Sequence, residues 1–441
     1  MSGDRLIDAL CTTPELAEVF ADRTVIGAML AFESALATAE ARAGLIPPSA
    51  AEAIAAAAAD EDGFDLPSLL RETRRSATPS IALVAALADR VRGRDPQAAA
   101  YVHWGATSQD VADTALVLLL VRARAFLKDQ AQVLQRDLRQ LSDAHALTVM
   151  LGRTLLQPAT PITFGLKAAV WRSIVADGWS RLTQAIDRAA TVQLGGATGT
   201  RAAFGDKGAA IAAAVADELG LETALPWHTD RGRLAAVVTA CAIFAGGLAK
   251  IARDVALLMQ AEVAEATTAG GGSSTMPHKH NPSGCAVALA AAMRVPGLAS
   301  GLLAGLVQEH ERAVGGWQLE WSAVSDTLQA TGAALAAVTA TVEHLQVFPD
   351  RMRANLDATN GAVFAERASL LLRTAVGRDE AQTLVSRALA RSRETGTSFP
   401  AALRADADAV QALGARLDTI DRLDDDVAAA EAVRRDLLAR S

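Results

Sequence analysis

Apolar residues recur at spacings of three and four along most of this chain. The clearest run spans 234 to 265, where Leu234, Val238, Cys241, Ala245, Leu248, Ala252, Val255 and Met259 fall at alternating steps of four and three. That is the narrow seam of a helix inside a long bundle. At about 1.5 Å per residue such a helix extends roughly 45 to 50 Å, longer than a small compact domain is wide, so it predicts neighbours of similar length. Comparable patterns over 111–147 and 161–190 predict two of them. No stretch alternates apolar and polar positions long enough to commit to a sheet, and helix is expected almost throughout.

Breaks fall at Pro47-Pro48, Gly93 to Pro96, Gly195 to Gly205, Gly270 to Pro282 and Pro349, where glycine and proline interrupt the period. Helical segments before Asp110 and after Asp350 are shorter than those between. The expectation is an all-α chain of three helical domains: residues 1–110, a central bundle of long helices at 111–350, and a C-terminal domain at 351–441. The alanine-biased stretch from Ala50 to Ala59 reads as helix rather than linker. A length of 441 residues exceeds one ordinary core, as that division requires.

Hydrophobic residues make up 51% and charged residues 21%, which excludes global disorder. A net charge of -8 excludes an extended nucleic-acid or membrane footprint, which needs clustered Lys and Arg, but leaves a small anionic ligand open. Cys11, Cys241 and Cys285 are widely spaced and suggest neither disulfides nor zinc. The opening MSGDRLIDAL lacks signal-peptide character, and apolar runs such as Ala115 to Val121 fall short of the roughly 20 residues that span a bilayer. A cytoplasmic location is expected. Small residues on the long helices permit close approach and burial against other subunits.

Three polar, donor-rich segments are each read as opening a helix. In HWGATSQDVADTALVLLL, Thr107 with Asp110 resembles a capping box. In GRTLLQPATPITFGLKAA, Thr160 and Pro161 read as N-cap and first helical residue, with Arg153, Thr154 and Gln157 ahead of them. In GGGSSTMPHKHNPSGCA, Asn281 and Pro282 make the same cap, preceded by Ser273, Ser274, His278, Lys279 and His280. A helix N-terminus offers free N–H groups and partial positive charge, so three of them suit a multiply anionic ligand. Any helical protein has such caps, and each alone is equally a simple helix start. The third departs from that reading, because three glycines and two serines before a dense set of donors suit a loop that closes over substrate. His278 and His280 lack acidic or Cys partners at ligand spacing, so no metal is expected. GGATGT at Gly195 to Thr200 follows no strand, as a dinucleotide fingerprint requires, and His310-Glu311 lacks the second histidine of a zinc-protease motif.

The stretch from Ser273 to Pro282, SSTMPHKHNP, resembles the signature loop of the fumarase/aspartase superfamily. Thr107-Ser108 with Asp110 and the stretch from Gly152 to Thr163 resemble that superfamily's two other substrate-binding segments, in the expected order. The resemblance implies a homotetramer around a multi-helix core, with active sites shared between subunits, a small polycarboxylate substrate and no cofactor. It implies Ser273 as the proton-transfer residue beside a carboxylate, with Lys279 catalytic. Lys279 and Asn281, with Thr107 and Ser108, would hold the carboxylate whose charge grows in the carbanion-like intermediate. Thr154, Gln157, Ser274 and Met276 are implied at the substrate. A neutral serine serves in that role only in a preorganised environment.

YVHWGATSQD, GRTLLQPATPITFGLKAA, PWHTDR and QEHERAVGGWQLEW resemble the cycloisomerases of the superfamily. Leu155 stands where its amine-eliminating lyases have a histidine acting on the leaving group. A cycloisomerase, whose nucleophile is an already ionised carboxylate, has less need of it. His103 and Arg312, then Arg153 and Arg231, are further candidates for substrate carboxylates, though each arginine is equally suited to a structural ion pair. His280's role is open. The alternatives are another superfamily lyase, such as adenylosuccinate lyase, or a non-catalytic structural oligomer.

Overall fold

The computed structural model describes residues 6–272, 276 and 279–440. It is all-α, 73% helical with seventeen α-helices among the described residues. Five helices are long: Ser108–Ala144, Phe164–Ala189, Gly232–Leu258, Ser283–Ala304 and Gly316–Glu343. The seam predicted over 234–265 is real. Leu234, Val238, Cys241, Ala245, Leu248 and Val255 are fully buried and Ala252 nearly so. The helix nevertheless ends at Leu258, seven residues early, and Met259 is half-buried beyond it.

Among the described residues the chain forms two compact units. The first comprises residues up to Gln132, Gly178–Lys250 and Ala286–Val338; the second Val133–Asp177, Ile251–Cys285 and residues from Thr339 onward. In the first, the Asp22–Arg42 helix packs on Pro48–Ala58 and Gly208–Leu219 around Met29, Leu30, Phe32, Leu36, Ile54 and Ile211. In the second, Ala368, Leu372, Leu384, Phe399 and Leu403 form a core, and Leu151 packs with Leu356 and Val363.

The second unit corrects the helix expected from Thr160. Val149–Thr154 and Gln157–Thr163 are antiparallel strands paired from Val149↔Thr163 to Thr154↔Gln157. The Phe164–Ala189 helix starts four residues after Thr160, and Thr163, whose Oγ1 accepts the Leu166 N–H at 3.1 Å, supplies the side-chain cap. The clustered β-branched residues Val149, Thr154, Thr160, Ile162 and Thr163 favour this pleat. At Gly152 a Cβ would meet the Thr160 carbonyl oxygen at 2.4 Å, so only glycine lets the strands approach there. Leu155 and Leu156 form the two-residue turn at φ +50° and +65°, and are 97% and 72% exposed. Such mirror-image turns normally carry Asn and Gly, so two leucines there are strained.

Asp22–Arg42, Gly232–Leu258 and Ser283–Ala304 are long and apolar enough to cross a bilayer by length and composition. Glycines and single polar residues, such as Thr239, Gly246 and Gly247, break the apolar runs of these helices, so no one unbroken run reaches spanning length. The apolar stretches of the first two are mostly buried within the protein, that of the third only by a third.

Candidate active site

In the first unit the site grows from the start of the Ser108–Ala144 helix. Thr107 caps it: its carbonyl accepts the Asp110 N–H at 2.9 Å, and the Asp110 carboxylate reaches back to the Thr107 N–H at 3.1 Å. This is the acidic half of the expected capping box. The Thr107 hydroxyl is turned to another use, accepting from Arg312 Nη2 at 2.8 Å. Arg312 also donates from Nε to Gln109 Oε1 at 3.1 Å and from Nη2 to the Ala197 carbonyl at 3.3 Å. Among the described residues its Nη1 has no partner. A guanidinium clamped on two nitrogens and free on the third, beside a helix N-terminus whose first N–H groups lack intrahelical partners, is built to take an anion.

Asp110 fixes this arrangement. Fully buried, it accepts from the N–H groups of Gly195 and Gly196 at 2.9 Å each and faces His228 Nε2 at 2.8 Å. The GGATGT stretch is thus bolted to the helix start, and Gly196 at φ +69° takes a conformation that glycine adopts freely. Sequence reading assigned this loop no function. Its signal was the pair of flexible glycines that lets two successive N–H groups converge on one carboxylate.

His103, on the segment leading into the helix, has Nδ1 2.7 Å from Glu33 Oε1. Burial alone lowers its pKa, but the charge and hydrogen bond of Glu33 and the charge of Asp110 outweigh that and raise it above the ordinary histidine value. Ser108 opens the helix and accepts a hydrogen bond at its carbonyl from Ser80 Oγ at 2.9 Å. Glu33, Gln109, His228 and Ala197 were not singled out from sequence. Arg231 is engaged elsewhere: it is 1% exposed, grips Asp113 at 2.7 and 2.9 Å and Glu320 at 2.9 Å, and lies 4.7 Å over the Trp227 ring. Its donors are spent within the protein.

In the second unit, Arg153 makes a two-pronged ion pair with fully buried Glu265 at 2.8 and 2.6 Å, and Asn355 Nδ2 donates to the same carboxylate at 2.8 Å. Arg153 edges a cavity of 260 Å³ that Leu156, Lys167, Asp254 and Gln260 also line. Thr154 and Gln157 pair at the exposed end of the hairpin. The signature loop is pinched at its neck, where Gly271 pairs with Asn281 and Gly272 with His280, and Ser283 Oγ accepts the Gly271 N–H at 2.8 Å. The helix behind it starts at Ser283, so Asn281 sits in the ladder rather than at the cap. Met276 and Lys279 are exposed, the Lys279 N–H donating to the Met276 carbonyl at 3.0 Å. Ser273 and Ser274 lie outside the described residues.

A helical chain with this loop and this anion site is an enzyme of the lyase class. Residues 10–297 match the family model described as Lyase, and the chain belongs to that family, within the fumarase/aspartase superfamily. It is 42% identical to 3-carboxy-cis,cis-muconate cycloisomerase of Pseudomonas aeruginosa, over 96% of this chain and 92% of that one. It is also 41% identical to nitrosuccinate lyase of Streptomyces davaonensis, over 89% and 85%. The crystal structure of 3-carboxy-cis,cis-muconate lactonizing enzyme from Pseudomonas putida matches it with a TM-score of 0.88 and 38% identity, over 99% of this chain and 100% of that one.

Proposed function

We propose that the protein converts 3-carboxy-cis,cis-muconate into 4-carboxymuconolactone, a step in the degradation of protocatechuate. One substrate carboxylate adds through oxygen to the conjugated double bond. The displaced electron pair takes a proton at the carbon beside another carboxylate, so a C–O and a C–H bond replace one π bond. The adjacent carboxylate accepts negative charge as the intermediate forms, and cations and N–H donors already aimed at its oxygens lower that barrier.

The observation that carries this reading is Arg312, held at a helix start by Thr107, Gln109 and Ala197 with one nitrogen free among the described residues. Ser108, His103, Lys279 and Asn281 join it as carboxylate contacts, with Thr154, Gln157, Ser274 and Met276 at the substrate and Ser273 delivering the proton. Leu155 supports lactonisation over amine elimination, since the hairpin tip carries no ionisable group there. The protein works in the cytoplasm as a homotetramer with shared sites. Exposed Ile243, Met293 and Leu303, at 54%, 67% and 42% on two long helices, are the apolar surface such a core covers. A second reading, elimination from nitrosuccinate, is favoured by the 41% identity to the Streptomyces davaonensis lyase.

The test offers the purified enzyme 3-carboxy-cis,cis-muconate, nitrosuccinate, adenylosuccinate and argininosuccinate and follows conjugation by ultraviolet absorbance. Turnover of the first alone is expected; turnover of nitrosuccinate instead selects the second reading, and silence on all four overturns both. Ser273→Ala should abolish turnover without lowering the melting temperature, and retained activity removes Ser273 as proton donor.

A further inference from the structure

Glu33 is 1% exposed in the Asp22–Arg42 helix, with buried Phe32, Ala35 and Leu36 as neighbours along the chain. A carboxylate in such an apolar setting costs stability that leucine would not. Its one partner among the described residues is His103, met at Oε1, while Oε2 has none. His103 is held in turn at φ +60°, a backbone region disfavoured for residues other than glycine, so its placement is imposed by what surrounds it. Its side chain keeps 18% exposure, so one edge of the ring remains open.

We propose that Glu33 is a positioning residue for substrate binding: from behind His103 its carboxylate fixes Nδ1 inward and turns the Nε2 edge outward toward a substrate carboxylate. The inference rests on His103 being a carboxylate contact, as read above. With Nδ1 committed to Glu33, the second ring nitrogen lies on the far edge of the imidazole and donates from there. A charged donor binds carboxylate about twice as strongly as a neutral one. An ordinary histidine is mostly neutral at pH 7 to 8, so a fixed anion behind the ring changes what it offers the ligand.

The charges facing this pair agree. Glu33 from its helix and Asp110 from the start of Ser108–Ala144 both favour the imidazolium and together overcome its burial. Asp110 also faces His228 and Arg201. Two helical turns beyond Glu33, Glu40 is pushed up to about 9 by burial and then by the charge of Glu33, so it stays protonated and does not compete for the ring.

The experiment uses the intact enzyme with ¹³Cε1-labelled histidine, of which the chain has 7, and assigns His103 from the signal lost in His103→Gln. Wild-type His103 should titrate above the ordinary histidine value. Glu33→Gln should lower it by about one pH unit or more, while Glu40→Gln leaves it in place. With 3-carboxy-cis,cis-muconate, Glu33→Gln should raise KM about tenfold at pH 8 with little change in kcat, and the defect should close as pH falls through the variant's own His103 titration, where the imidazole protonates unaided. A merely structural role would not produce a KM defect that low pH repairs. The proposal is overturned if wild-type His103 titrates at or below the ordinary value, a result that does not depend on the Glu33 variant. It is overturned equally if Glu33→Gln leaves that titration or KM unchanged. Wild-type turnover tests the reading of function separately, so the two failures are distinguishable.

Discussion

Replacing Glu40 by glutamine should make the protein's stability less dependent on pH. Glu40 is fully buried, neither carboxyl oxygen has a hydrogen-bond partner among the described residues, and burial with the nearby charge of Glu33 raises its pKa from 4.5 to about 9. Between those values the unfolded chain releases this proton and the folded chain keeps it. The unfolded state then binds fewer protons, so stability falls as pH rises, by about 1.4 kcal/mol per unit. From pH 6 to pH 8 this single group costs wild type about 2.7 kcal/mol per protomer. Glutamine has the shape of the neutral acid and does not titrate; the unpaired amide it introduces adds an offset that pH does not change. Urea unfolding of both proteins at pH 6 and pH 8, at one protein concentration and followed by circular dichroism, gives the two stability gaps. The gap should move in favour of Glu40→Gln by about 2.7 kcal/mol between them. An unchanged gap, or one moving toward wild type, refutes the claim that Glu40 is neutral in the folded protein.

Arg231→Met should cost about 3–5 kcal/mol, because it leaves the Asp113 and Glu320 carboxylates buried without their cation. Thermal melting checks this, and an unchanged melting temperature would show that the cluster is not an ion pair in solution. Arg312→Lys should lower kcat/KM for 3-carboxy-cis,cis-muconate about a hundredfold with the melting temperature retained, since an ammonium cannot engage Thr107, Gln109, Ala197 and a ligand in one plane. Full activity in that variant would remove Arg312 from the site.

Much of the long-helix framework was legible because its seams repeat over many turns: Leu234 through Val255 mark a buried stripe whatever lies beside it. Helix ends were less legible. Thr160 followed by proline has the chemistry of a cap, yet the strand from Gln157 claims it, because its partner Val149–Thr154 lies on the other side of a two-leucine turn. Cross-strand pairing depends on both segments together, and a cap motif read locally cannot weigh it. At the site, Thr107 and Arg312 were named from the chain, but their direct contact joins positions 205 residues apart. Glu33 left no local trace, since one acidic residue on an apolar helix has the same pattern whether it points to solvent or to a histidine 70 residues away.

The charges beneath the helix start suggest why this region is built as it is. Asp110, Asp113 and Glu320 are fully buried and His228 and Arg231 nearly so. Burial raises the pKa of Glu320 even with Arg231 opposing it. Apolar residues of similar volume would often hold a core as well or better, so packing alone does not account for the cluster. Its members do what apolar groups cannot. Asp110 sets the angle between the helix start and the Gly195-Gly196 backbone, while Asp113 receives Arg231 and the Trp317 indole N–H at 2.9 Å. Directional bonds of this kind resist rotation of the first helical turn, where non-directional contacts would let it slide. An anion site made of backbone N–H groups and one guanidinium keeps its strength only while those donors stay aimed at one point.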